Sequence, residues 1–218
     1  TATGSGSREL PSEDRGASVL VVNPDGPAAL GVVPEARTED NRRSTDLRLA
    51  LSADGSAAVR GQVRVSGSQA PEYRRAYQAE GERRAALERS LGRTFPGLRV
   101  ESVAVNDPAR IEEDVSIDFR FVAPRLARPE EGGLTLLPFG QAATWSETLA
   151  PLSERTQDLV LGEPFESRVV MRHALPPGMA PAGLPPPAAH ATPLGSFRAE
   201  LRVEGSELVA ELRVRIEA

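Results

Sequence analysis

The sequence predicts a mainly β fold of the α+β type: antiparallel, β-sandwich-like sheets with one substantial helix over about residues 70–92. Three observations predict it. Leu47, Leu49 and Leu51 alternate with polar or small residues before Asp54-Gly55, and Ala57, Val59, Gly61, Val63 and Val65 alternate after it. Phe197 to Val203 and Leu208 to Ile216 repeat that pattern around Glu204-Gly205-Ser206. Gly and Pro, 19 residues each, suit a chain of many turns better than a helical bundle. Successive strand side chains point to opposite faces, so each run presents one apolar and one polar face.

The elements follow in chain order. Thr1-Ala2-Thr3-Gly4-Ser5-Gly6-Ser7 reads as the continuation of a longer polypeptide, and residues 1–13 as an extended lead-in from an upstream domain. Ala17–Val22 and Leu30–Val33 are short apolar runs around the turn residues Asn23-Pro24-Asp25-Gly26. After the Asp54-Gly55 hairpin, Pro71 suits a first helical turn and Glu72 its dipole. The helix continues to Leu91. Tyr73/Tyr77 and Leu87/Leu91 mark its apolar stripe, Glu80 can pair with Arg84, Gly81 is a kink point and Gly92 a C-terminal cap. Leu98–Val105, Val115–Phe121 and Leu134–Leu137 are further strands, and Gln141–Leu152 is weakly helical. Phe165, Ser167, Val169 and Met171 alternate imperfectly, because Val170 joins the charged side. Residues 176–193, rich in Pro and Ala, are a loop or irregular edge. This gives a β-rich unit over 14–155 and a small antiparallel unit over 156–218, packed on the first.

With aromatics at 4%, the core is built from Val, Leu, Ala and Ile. Net charge is −5, and all 26 basic residues are Arg, scattered along the expected solvent faces. No basic stripe suggests nucleic acid, and no apolar run is long enough for a membrane helix. The absence of Cys excludes a disulfide, a thiol nucleophile and a thiolate metal site within these residues.

The chemistry-bearing residues are few. His173 and His190 have no partner at metal-ligand spacing, and each reads as a surface or rim histidine. Glu112-Glu113-Asp114 and Glu130-Glu131 lack the spacing of a calcium loop and read as solvated charge. Gly4-Ser5-Gly6 and Gly132-Gly133 precede no Lys-Ser/Thr, and no Ser stands in Gly-x-Ser-x-Gly. No catalytic, cofactor-binding or metal-ligating residue is therefore expected, and no cofactor. The candidate interaction surface is Trp145, Phe139 and His173. Trp145 reads first as a packing residue and second as a binding anchor.

Three stretches carry a family resemblance. They are Thr1-Ala2 through Arg8-Glu9-Leu10-Pro11 to Val19–Val22; the Asp54-Gly55 hairpin with Gly67, Ala70 and the Arg-rich helix to Phe95-Pro96-Gly97; and Arg155–Leu159 with Pro164-Phe165-Glu166 and Leu175–Gly178. Together they resemble the β-rich region that follows the core in bacterial transglutaminase-like proteins of the papain-like cysteine protease superfamily. The resemblance implies a non-catalytic accessory domain whose partners are that upstream core and a protein or cell-envelope component. It also implies a periplasmic or cell-envelope setting. The core's Cys, His and Asp match no position here. Two other classes stay open: a stand-alone protein- or glycan-binding β module, and a hydrolase using carboxylates alone.

Overall fold

The computed structural model describes residues 14–140, 154, 156 and 163–217. Around Asp54-Gly55 the chain turns as the alternation requires. Strand β3 (Arg42–Leu51) pairs antiparallel with β4 (Ala57–Val65). Between them Asp54 Oδ1 accepts from Ser56 N (2.9 Å) and Ser56 Oγ (2.7 Å). Gly55 takes φ +84°, and its carbonyl accepts from Leu126 N and Ala127 N at 3.0 and 2.9 Å. A Cβ at Gly55 would stand 2.1 Å from Ala127 O, so both the conformation and the close approach require glycine.

The remaining strands are β1 (Ser18–Val21), β2 (Ala29–Val32), β5 (Arg99–Val105), β6 (Val115–Ala123), β7 (Ala127–Glu130), β8 (Gly133–Leu136), β9 (Phe165–Ala174), β10 (Ala188–Thr192), β11 (Gly195–Glu204) and β12 (Glu207–Ile216). The chain is mainly β. Eight strands form one sheet in the order β10-β11-β12-β9-β3-β4-β6-β5, while β1-β2 and β7-β8 are separate hairpins. This departs from the expected sandwich-like pair of antiparallel sheets. β3 and β9 are parallel, in register from Arg42↔Glu166 to Ala50↔Ala174, so the sheet is mixed. The strands of the two sequence units are joined edge to edge at this pair.

Buried Asn41 anchors the junction. Its Nδ2 donates to Pro164 O (2.8 Å), its Oδ1 accepts from Ser68 N (2.9 Å), and its carbonyl accepts from Glu166 N (2.9 Å). One residue thus fixes where β9 enters beside β3 and where the chain leaves β4 for the helices.

The single helix expected over 70–92 is two. Helix α1 (Ala70–Tyr77) ends at Gln78, Ala79 is extended (ψ 115°), Glu80–Glu82 form a 3₁₀ turn, and α2 (Arg83–Leu91) follows. Arg83 Nε donates to Tyr77 O at 2.9 Å, satisfying a C-terminal carbonyl of α1. The break also removes the expected Glu80–Arg84 pair: Arg84 Nη2 donates instead to Glu101 O (2.8 Å). Gly92 is the C-cap of α2, in right-handed conformation. The predicted strands otherwise appear. β7 was not anticipated, β10 lies within the Pro/Ala stretch, and the weakly helical 141–152 and the lead-in 1–13 lie outside the described residues.

The core fills one face of the sheet. Leu47, Leu49, Val59, Ile117, Phe119 and Phe121 pack beneath Tyr77, Leu87 and Phe95. Phe121 is fully buried, its ring centroid 5.1 Å from that of Phe95. No helix among the described residues is long and apolar enough to cross a membrane.

Candidate functional site: an apolar cleft beside the helices

Among the described residues the eight-stranded sheet is wider than its helical cover. α1 and α2 sit over the β3–β6 half, and the apolar face continues past them onto β9, β12 and β11. In register across the sheet run Phe197–Val214–Ser167–Arg43, then Ala199–Leu212–Val169–Thr45, then Leu201–Ala210–Met171–Leu47. Burial fades along these rows. Leu47 is 1% and Phe197 42% exposed.

Between the helices and the uncovered rows lies a cleft of about 800 Å3. Its floor includes Val169, Met171, Leu212 and Val214; its helical wall includes Tyr73, Tyr77, Leu87 and Leu91; Phe197 and His190 form the far side. Tyr73 and Tyr77, one turn apart on α1, stack with centroids 6.4 Å apart. Burial, and then the nearby Tyr73, push the Tyr77 hydroxyl up to about 12, so it stays protonated in the physiological range. Among the described residues Arg43 is the one guanidinium on the wall. It is exposed at the rim, where Nη1 donates to Tyr73 Oη at 3.2 Å.

The predicted interaction residues fall differently around this cleft. Phe139 lines it, half-buried. His173 lies beneath that same stretch of chain. It is fully buried rather than on a surface or rim, and Nε2 donates to Pro138 O at 2.9 Å. Since a carbonyl only accepts, Nε2 carries the proton. Nδ1 has no hydrogen-bond partner among the described residues. Burial lowers the His173 pKa, against a smaller opposing effect of the Pro138 carbonyl. Trp145 lies outside the described residues. Sequence reasoning missed Arg43, Tyr73 and Phe197 as neighbours. The available signal was an apolar face continuing through β11 and β12.

A pH dependence follows for His173. Its folded pKa is below the unfolded value of 6.5, so the folded state favours neutral imidazole. That stability is present above pH 6.5 and is lost as pH falls from there through the folded pKa. Urea unfolding should show this loss as pH falls below 6.5, and His173→Leu should lack this part of it. The same pH slope in both proteins would contradict the assignment.

Among the described residues no three His, Asp or Glu side chains are grouped to hold a metal ion. The chain matches no protein-family model and no curated protein sequence. Nothing in those comparisons links it to transglutaminase-like proteins, so that resemblance rests on the three sequence stretches alone.

A second apolar surface lies apart from the cleft. In the β1-β2 hairpin Leu20 (61% exposed) stands opposite Leu30 (84%), with Val32 (67%) beside them on the same face. Among the described residues no layer covers this face, and a two-stranded hairpin is marginal alone.

Proposed function

We propose that this chain is a non-catalytic binding module whose cleft holds an amphipathic ligand with an apolar body and one anionic head. The observation that supports this is the composition of the wall: about 800 Å3 of mainly apolar space with Arg43 as its single guanidinium among the described residues. Ligand sites of this size typically combine an apolar lining with a few placed polar groups. Arg43 has five donors, and its only hydrogen bond among the described residues is to Tyr73, which leaves a fork for a carboxylate. A long-chain carboxylate is therefore the class of ligand. A glycan fits less well, because its hydroxyls would lie unpaired on the apolar floor.

The test is titration of the full chain with a fluorescent long-chain carboxylate such as cis-parinaric acid. Saturable binding is expected, with affinity falling about tenfold in Arg43→Ala on loss of a charge-assisted hydrogen bond. No saturable binding, or equal affinity in the variant, would contradict the reading.

The exposed β1-β2 hairpin favours a second reading, the accessory role that the resemblance implies. Here Leu20, Leu30 and Val32 dock on a neighbouring domain, the upstream transglutaminase-like core, in a cell-envelope setting. A polypeptide carrying that domain ahead of this chain should slow amide exchange over 18–32 relative to this chain alone. Equal exchange in the two would contradict docking there.

A further inference from the structure

The opposite face of the sheet carries an arrangement that neither reading uses. Arg172 on β9, Arg48 on β3, Arg60 on β4 and Arg120 on β6 are successive register partners. Register partners share a face, so the four side chains form one row across four strands, about 14 Å at about 4.8 Å per strand. Beside it runs a row of small side chains, Ala174–Ala50–Ala58, ending at Val122. The two rows make a trough of about 340 Å3, with Glu101 and Glu207 also on its lining.

Elsewhere on this face some arginines are matched by glutamates. Arg168 Nε lies 2.9 Å from Glu211, and Arg202 Nε 2.7 Å from Glu204. Within the row only Arg172 is matched, at 2.6 Å from Glu204. Arg48, Arg60 and Arg120 make no hydrogen bond or ion pair among the described residues. Asp46 and Asp118 stand in the next row, where Asp118 accepts from Gln62 (2.8 Å). Like charges directly opposite one another destabilise a sheet, so three unmatched arginines in line are a cost that added carboxylates would relieve.

We propose that this row is a docking site for an extended acidic peptide segment lying in the alanine trough. The glutamate pairs already on this face identify carboxylate as the matching group. An extended chain repeats same-side side chains every about 6.8 Å, so three carboxylates span the whole row of about 14 Å, and two of them fall within the about 9.6 Å of Arg48, Arg60 and Arg120. The methyl-lined trough admits its backbone. Single-stranded nucleic acid fits less well, because neither row offers an aromatic side chain for stacking.

The test is fluorescence anisotropy of the full chain with a labelled octapeptide alternating Glu and Ala at low salt. Saturable, salt-sensitive binding is expected. Arg48→Ala, Arg60→Ala and Arg120→Ala should each weaken it about 2- to 5-fold, in line with exposed ion pairs, and the triple variant should abolish it. Arg64→Ala, on the same face two rows away, should leave it unchanged. No saturable binding, equal weakening by Arg64→Ala, or a row that binds tripolyphosphate but not the peptide would overturn the proposal.

Discussion

Replacing Gly61 by valine is expected to destabilise the chain by about 3 kcal/mol or more, at the upper end of overpacking costs. Gly61 lies on β4 in the middle of the apolar face, in register with Leu47 on one side and Phe119 on the other. A Cβ there would stand 2.4 Å from Leu47 Cδ2 and 2.4 Å from Phe119 Cε2. Both side chains lean over the glycine and are themselves almost wholly buried, at 1% and 3% exposure. Neither can swing aside without displacing a packed neighbour. Urea unfolding followed by circular dichroism should show a sharply lower midpoint, with Gly61→Ala intermediate. A wild-type midpoint for Gly61→Val would mean that this layer is looser than its geometry implies.

Arg74→Ala should cost a similar amount and should also affect the cleft. Arg74 sits on α1 with 6% exposure, and Nη2 donates to Ile111 O and Glu113 O, each at 2.7 Å. Those carbonyls belong to the loop between β5 and β6, so the side chain ties α1 to the sheet. Charge-assisted hydrogen bonds contribute about 1.5–3 kcal/mol each, so about 3 kcal/mol is the expected loss. Tyr73 and Tyr77 flank this anchor and form the helical wall of the cleft. The variant should therefore bind a cleft ligand more weakly even in buffer where it remains folded. Lost stability with unchanged ligand affinity would separate α1 anchoring from the cleft.

The strands were legible because their signal is local. Alternation of Leu47, Leu49 and Leu51 places those side chains on one face whatever lies beyond. The helix break was less legible. Gly81 marked a weak point, but the turn comes at Ala79 and is held by Arg83 reaching back to Tyr77 O, a contact that spacing alone does not announce. The parallel β3-β9 pair was not legible at all. It joins residues more than a hundred positions apart, and the buried Asn41 that anchors it reads as an ordinary loop polar residue in sequence.

His173 is instructive in a different way. Phe165, Ser167, Val169 and Met171 share its parity, so the alternation already placed it on the apolar face. The lack of a partner at metal-ligand spacing, from which His173 reads as a surface or rim histidine, says nothing about burial. The cleft was out of reach for a physical reason: alternation shows which face of β11 and β12 is apolar, whereas its cover depends on where α1 and α2 lie.

The most direct measurement of the central claim is a methyl-resolved NMR titration of the full chain with decanoate. Ligand in the cleft should shift the methyl signals of Val169, Met171, Leu212 and Val214 together and saturably, and leave those of Leu20 and Leu30 in place. Shifts confined to the β1-β2 hairpin, or none at all, would contradict the cleft as the binding site.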